Sequence, residues 1–208
     1  WKYLAWFHGK ADTVVVPTAA AKAALTARGL EPRRIEVRAW ASPWSTNGTP
    51  QARGPALGDD EPFRLVSAGP IDRERGTIEI ISALESVRNA LPGATLVLCG
   101  EGPMSAEARG LPGVEVVPPR SSAALASLFA RADLFLTNDR GDLTGLETLR
   151  ALSAGLPALV PHGSAAAEHV QPDRTGLLHD GTAPSIAEAL RKILADPAER
   201  RTMGDRAR

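Results

Sequence analysis

A polar loop at residues 139–144 holds the side chains best placed to do chemistry. It follows an apolar run, Leu134–Leu136, and precedes a stretch with helical spacing, Gly145–Ala154. A second apolar run, Ala158–Val160, then completes the order expected of one parallel strand–helix–strand unit. Ligands of such units bind at the carboxyl ends of the strands, beside helix N-termini whose free amides attract anions. The loop is therefore a candidate ligand site, although its polar residues could also serve only to cap the helix.

Three of the charged side chains in this loop or directly after it are candidates for contact with a ligand. Asp142 stands within the loop, and Glu147 and Arg150 follow in the helical stretch. Residues three apart on a helix are neighbours, so Glu147 can approach Arg150 and neutralise it. An ionised carboxylate only accepts hydrogen bonds, whereas a guanidinium only donates them. The acids therefore suit hydroxyl groups of a ligand, and the arginine suits an anion.

The run from Asp142 to Pro157 resembles the signature of group 1 retaining glycosyltransferases. These enzymes belong to the GT-B class, which has two Rossmann-like domains and includes enzymes similar to glycogen synthase, sucrose synthase and mannosyltransferases. The positions in register are Asp142, Gly145, Leu146, Leu149, Ala151, Gly155 and Pro157. Where the family has a second acid, which accepts from the ribose, this sequence has Arg150. Arg150 would either pair with Glu147, which could partly replace that acid, or reach a phosphate.

The resemblance implies a specific chemistry. The family transfers a sugar from a nucleoside diphosphate sugar with retained anomeric configuration, and usually binds no metal and no further cofactor. By this likeness Asp142 accepts hydrogen bonds from hydroxyl groups of the donor sugar. Arg75, with the amides near Gly145 and Leu146, would stabilise the charge of the leaving diphosphate. Asp142 and Arg75 are thus the candidate catalytic residues.

The turn after the predicted strand Phe63–Ala68 resembles another part of the donor site. Gly69 matches the family's Gly-Arg-Leu turn, but a proline follows it in place of the arginine. Arg75 stands where the family has a phosphate-binding lysine, and its guanidinium is compatible with that role. Arg73 is the candidate to replace the missing arginine. The alternative is that these charges belong to a solvated loop.

Two further strand exits add candidates for donor binding. Gly100 and Gly102 follow the predicted strand Thr95–Cys99 and are similar to a Gly-x-Gly-Pro turn of the family. Glycines at such a turn let a backbone or a ligand approach closely. Arg120 follows the predicted strand Val114–Val117, at an exit that passes the nucleobase in the family. The donor-binding set is therefore Gly69, Arg73, Gly100, Gly102, Arg120, Gly145, Leu146, Glu147 and Arg150.

The pattern predicts an α/β fold. In residues 63–208, five apolar runs alternate with helical segments, which predicts a Rossmann-like parallel sheet with helices on both faces. The resemblance makes this region the C-terminal, nucleotide-sugar-binding domain of a GT-B enzyme. Residues 42–62 are rich in Pro, Gly, Ser, Thr and Asn and show no periodicity, and residues 46–62 among them are predicted to be the linker.

Residues 1–45 resemble the end of the N-terminal, acceptor-binding domain, a second Rossmann-like unit. The sequence starts at Trp1 rather than at methionine, so we expect the missing part of that domain to lie in a longer protein. The first twelve residues form an aromatic, helix-like stretch, for which core packing is favoured. A membrane-surface helix is the rival interpretation, but Lys2 and Lys10 alone make a thin basic face.

The composition narrows the class of protein. The 208 residues carry 24 basic and 24 acidic side chains, so no net charge favours nucleic acid as a partner. Cys99 is the single cysteine and lies in an apolar run, which predicts a buried thiol rather than a nucleophile. We see no long apolar span or signal peptide, and expect a cytoplasmic protein, with peripheral attachment at the inner face of the membrane as an alternative.

Three functions fit these residues. The first is an active glycosyltransferase with an altered donor site, and the second is an inactive homologue that acts as a binding or scaffolding protein. The third, a nucleotide-sugar epimerase on the same architecture, has no supporting residues of its own. The acceptor could be a carbohydrate, a lipid or a small molecule, and the nucleobase and the sugar of the donor stay open.

Overall fold

The structure is a computed structural model that describes residues 6–41, 62–90, 92–118 and 121–207. The strands are β1 (Val14–Val16), β2 (Ile35–Val37), β3 (Arg64–Ala68), β4 (Thr95–Cys99), β5 (Val114–Val117), β6 (Leu134–Leu136), β7 (Ala158–Pro161) and β8 (Gly176–His179). The α-helices are α1 (Ala19–Thr26), α2 (Thr77–Val87), α3 (Ser105–Arg109), α4 (Ser122–Ala130), α5 (Leu146–Ser153), α6 (Ala183–Ala195) and α7 (Pro197–Ala207). Short 3₁₀ turns lie at Pro32–Arg34, Arg88–Ala90 and Ala166–His169.

Six strands form one parallel sheet in the order β5-β4-β3-β6-β7-β8. The chain builds β3, β4 and β5 towards one edge and then crosses back, so that β6 pairs with the other side of β3. This reversal is a topological switch point, where a crevice opens beyond the carboxyl ends of the two strands. The predicted parallel sheet is confirmed. Its topology places the loop after β6 beside the turn after β3.

Alternate residues of each strand face opposite sides of the sheet, which gives two cores. On one side, Leu65, Leu96 and Leu134 pack with α2 and α6. On the other, Val66, Val97 and Phe135 pack with α4 and α5. Both faces of the sheet are therefore covered by helices, as the near-continuous apolar runs predicted. No helix among the described residues is long and apolar enough to cross a membrane.

The N-terminal residues form a separate two-stranded parallel sheet. Strand β1 pairs with β2, and α1 connects them. Thr18 is the N-cap of α1, since its hydroxyl accepts a hydrogen bond from the amide of Ala21 at 3.0 Å. How the chain divides into domains stays a prediction, because residues 42–61 of the predicted linker region lie outside the described part.

The N-terminal aromatic residues that the structure describes are exposed within this chain, and their expected packing stays a prediction. Trp6 and Phe7 are 59% and 57% exposed, and residues 1–5 are not described. The buried residues of the small sheet lie on its inner face, whereas Val15 on the outer face is 52% exposed. Val37 lies on the inner face at the end of β2 and is 41% exposed.

Candidate functional site

Two adjoining cavities lie at the switch point between β3 and β6. The larger, about 350 Å³, is lined by residues that follow β3 and β4 and by α5, among them Gly69, Cys99, Gly100, Glu147 and Arg150. The smaller, about 260 Å³, is lined by Gly69, Arg75, Asp139, Asp142 and Glu147, among others. The topology thus brings together residues that are far apart in the sequence.

Asp142 lines the smaller cavity and also caps its own loop. Its Oδ1 accepts hydrogen bonds from the amide and the hydroxyl of Thr144, both at 2.8 Å, and its Oδ2 accepts from the amide of Gly145 at 2.9 Å. A carboxylate has about four lone-pair positions, so capping leaves little acceptor capacity for a ligand. The capping role that the sequence left open as an alternative is therefore observed.

The amides that the resemblance assigned to a diphosphate are used inside the same loop. The amide of Gly145 donates to Asp142, and the amide of Leu146 donates to the hydroxyl of Thr144 at 3.2 Å. Gly145 has a left-handed φ of +63°, and a Cβ there would lie 2.6 Å from the ring of His169. The glycine is required by the turn that starts α5. Because these amides already donate within the loop, the guanidinium of Arg75 is the remaining candidate to bind a phosphate in the smaller cavity.

Arg75 lines the smaller cavity and forms an ion pair with Asp139. The hydrogen bond to Asp139 raises the pKa of the Arg75 guanidinium, and the group stays charged. The Oδ1 atom of Asp139 accepts from the amides of Gly141 at 2.7 Å and Asp142 at 3.0 Å. Asp139 therefore connects the turn after β3 to the loop after β6. The sequence analysis did not predict this role of Asp139. An Asp in a loop often accepts hydrogen bonds from backbone amides two or three residues later, and this tendency could have indicated it.

Glu147 and Arg150 form the ion pair that their spacing predicted. The Oε1 atom of Glu147 accepts from Arg150 Nη1 at 2.7 Å, and the side chains are 30% and 21% exposed. Burial raises the pKa of the Glu147 carboxyl, and the cation of Arg150 opposes this shift. The carboxylate is thus held in a partly desolvated position, where an added hydrogen-bond donor would stabilise its charge.

Of the other predicted donor-binding residues, some line a cavity and others do not. Gly69 and Gly100 line the larger cavity, whereas Gly102 packs against the backbone of Ile71. Arg73 is exposed on its turn and lines neither cavity, and its expected role in place of the missing arginine stays a prediction. Its neighbour Arg75 occupies the side of the turn that faces β6. Arg120 lies outside the described residues.

The N-terminal sheet docks directly on the candidate site. Both oxygens of Glu168 accept hydrogen bonds from the first amides of α1, those of Ala19 and Ala20, at 2.8 Å each. The hydroxyl of Thr18 donates to the carbonyl of Leu143 at 2.6 Å, and the Leu143 side chain packs on the core of that sheet. These contacts join residues that are more than a hundred positions apart, which local patterns could not have indicated. An acid is favoured at a helix N-terminus because it satisfies free amides there.

A buried histidine links the exit of β6 to the exit of β8. The Nε2 atom of His179 lies 3.0 Å from the carbonyl of Thr137, and its Nδ1 accepts from the amide of Gly181 at 3.0 Å. These partners require a neutral ring with its proton on Nε2. Burial is the main cause that lowers the pKa of His179 to about 4.

We expect His179 to make the fold sensitive to acid. The pKa is about 6.5 in the unfolded chain and about 4 in the native protein, so the unfolded state binds more protons between these values. The free energy of unfolding should therefore fall by up to about 3 kcal/mol as the pH drops from about 6.5 to 4. In His179→Gln this decrease in the free energy of unfolding at acid pH should disappear, as measured by urea unfolding at several pH values. Replacement of the exposed His162 by Gln is the control, and parallel pH curves for all three proteins would contradict the prediction.

Comparison with known proteins identifies the family. The family described as "Glycosyl transferases group 1" matches residues 50–208. The chain belongs to this family. A GDP-mannose-dependent alpha-(1-6)-phosphatidylinositol dimannoside mannosyltransferase of Mycobacterium tuberculosis is 34% identical over 66% of this chain and 37% of its own length. A sulfoquinovosyl transferase of Arabidopsis thaliana is 25% identical over 100% of this chain and 42% of its own length. The chain thus spans about two fifths of these relatives.

Solved structures of glycosyltransferases share the fold of this group 1 chain. The Anabaena protein HepE, solved with UDP-glucose, superposes with a TM-score of 0.82 at 18% identity, over 99% of this chain and 60% of that one. A sucrose-phosphate synthase of Thermosynechococcus elongatus gives a TM-score of 0.77 at 22% identity, over 99% of this chain and 55% of that one. The predicted GT-B architecture is therefore confirmed.

Proposed function

We propose that this chain forms the donor-binding half of a glycosyltransferase that transfers a sugar from a nucleoside diphosphate sugar with retention. The observation that carries the proposal is the cavity at the switch point, in which Arg75 and Asp142 meet at the N-terminus of α5. A cation and an acid in one crevice suit a ligand that carries both phosphate and hydroxyl groups. Membership of the group 1 family supports the assignment.

In this proposal Arg75 binds the diphosphate and stabilises the charge that develops as the sugar leaves. Asp139 accepts a hydrogen bond from one of the five N–H groups of Arg75 and competes with a ligand for it, and the other N–H groups stay available to phosphate oxygens. The remaining acceptor position of Asp142 takes a hydroxyl of the donor sugar. No metal and no further cofactor takes part. The acceptor, a carbohydrate, a lipid or a small molecule, binds to the rest of the N-terminal domain.

Calorimetric titration of the chain with GDP and UDP tests the donor site. These two probes are chosen because a relative is GDP-mannose-dependent and a solved neighbour holds UDP-glucose. We expect one of them to bind at one site per chain, and the corresponding nucleotide sugar to bind at the same site in competition. Asp142→Asn should weaken binding of the nucleotide sugar more than binding of the nucleotide, since Asp142 is assigned to a hydroxyl of the sugar. Absence of binding by both nucleotides would overturn the proposal and favour an inactive homologue.

A further inference from the structure

Glu147 is the acid that the two cavities share. It lines the larger cavity with Arg150 and Gly100, and the smaller one with Arg75 and Asp142. A nucleoside diphosphate sugar is a linear ligand, with the sugar and diphosphate at one end and the nucleoside at the other. If the end with phosphate lies by the cation of Arg75, the nucleoside extends into the larger cavity. Glu147 then lies where the ligand passes from phosphate to base.

One oxygen of Glu147 has no hydrogen-bond donor within the part of the chain that the structure describes. Its Oε1 accepts from Arg150, but its Oε2 is enclosed and accepts no hydrogen bond from the described residues. An enclosed carboxylate oxygen without a donor is costly, and a native protein keeps such an atom only for a reason. The terminal torsion of a glutamate is soft, so a small rotation can turn either oxygen to the cavity. The carboxylate is thus prepared to accept one more hydrogen bond.

The chemistry of the ligand decides what this acceptor can bind. A carboxylate repels phosphate, and the donors of a nucleoside diphosphate are the ribose hydroxyls and the N–H groups of its base. The ribose is the part that lies between phosphate and base, where Glu147 is placed. We propose that Glu147, held in place by Arg150, accepts a hydrogen bond from a ribose hydroxyl and makes the site selective for ribonucleotides. Arg150 occupies the signature position of the second acid, and the acceptor is thereby moved three residues towards the start of α5. This inference rests on the proposed function, because it needs a nucleotide in the larger cavity.

The experiment compares ribonucleotides with deoxy analogues. The probes are GDP and UDP with their 2′-deoxy and 3′-deoxy forms, titrated by calorimetry into the unmodified chain and into Glu147→Gln. Removal of the hydroxyl that Glu147 binds should weaken binding to the unmodified chain by about tenfold to a hundredfold, as expected for a hydrogen bond to a charged group. In Glu147→Gln the same removal should cost only about two- to tenfold, because the acceptor is neutral.

Glu101→Gln is the matched control, since Glu101 is an exposed acid that lines the same cavity. It loses the same charge and should change the affinities of GDP and of its deoxy forms by the same factor. Equal affinities of the ribo and deoxy forms for the unmodified chain overturn the inference without any variant. The inference is also overturned if Glu101→Gln lowers the ratio of ribonucleotide to deoxynucleotide affinity as much as Glu147→Gln does. In both cases the nucleotide still binds and the proposed function stands, whereas a failure of GDP and UDP to bind removes both proposals.

Discussion

Arg75→Ala is expected to weaken binding of the nucleoside diphosphate by about ten- to a hundredfold. The guanidinium lines the cavity that also holds Asp142, and a charge-assisted hydrogen bond to phosphate contributes about 1.5–3 kcal/mol. The substitution also leaves the carboxylate of Asp139, which is 16% exposed, without its cation. Calorimetry with GDP and UDP measures the loss, and Arg75→Lys should recover part of it because a point charge remains.

Asp139→Asn separates phosphate binding by Arg75 from a purely structural role. The side-chain amide oxygen that this substitution introduces can still accept from the amides of Gly141 and Asp142, so the loop keeps its anchor. Arg75, however, loses a competing anion, and nucleotide affinity should rise a few-fold. If Asp139→Asn weakened binding as strongly as Arg75→Ala, the ion pair would matter only for the shape of the loop. Opposite signs for the two variants are the result that the donor site requires.

Gly100→Ala is expected to cost about 3 kcal/mol of stability or more, enough to unfold a marginal domain. A Cβ at this position would lie 1.8 Å from the carbonyl oxygen of Gly69 and 2.9 Å from its carbonyl carbon. Neither backbone segment can move easily. The amide of Gly69 donates to the carbonyl of Cys99 at 3.1 Å, and the amide of Gly100 donates to the carbonyl of Val117 at 2.9 Å. The measurement is the free energy of unfolding in urea.

Gly110→Ala provides the matched control for that variant. Gly110 has an ordinary φ of −80°, and the nearest atom to an added Cβ would be a carbonyl oxygen at 3.5 Å. Its replacement should change the free energy of unfolding by less than about 1 kcal/mol. Similar losses in both variants would show that the contact between the exits of β3 and β4 does not constrain Gly100. If Gly100→Ala loses much more stability than Gly110→Ala, the close approach of the Gly69 backbone explains why this turn has a glycine at position 100.

The sequence by itself determined the elements and their local partners. Strands β4 and β5 begin and end where the apolar runs predicted. Caps are also made by residues close in the sequence. Ser121, for example, caps α4 through the amide of Ala124 at 3.3 Å. The pair between Glu147 and Arg150 also followed from helical spacing alone. All these features depend on residues within about one helical turn of one another, and such contacts can be read from the order of the chain.

Only the tertiary structure decided which distant residues meet at the site. Asp139 reaches Arg75 because β6 returns to pair with β3, an order that the alternation of strands and helices does not specify. Glu168 reaches the first amides of α1 only because the N-terminal sheet docks on the loop after β6. Each of these outcomes depends on contacts between segments far apart in the chain, which local propensity and spacing do not encode.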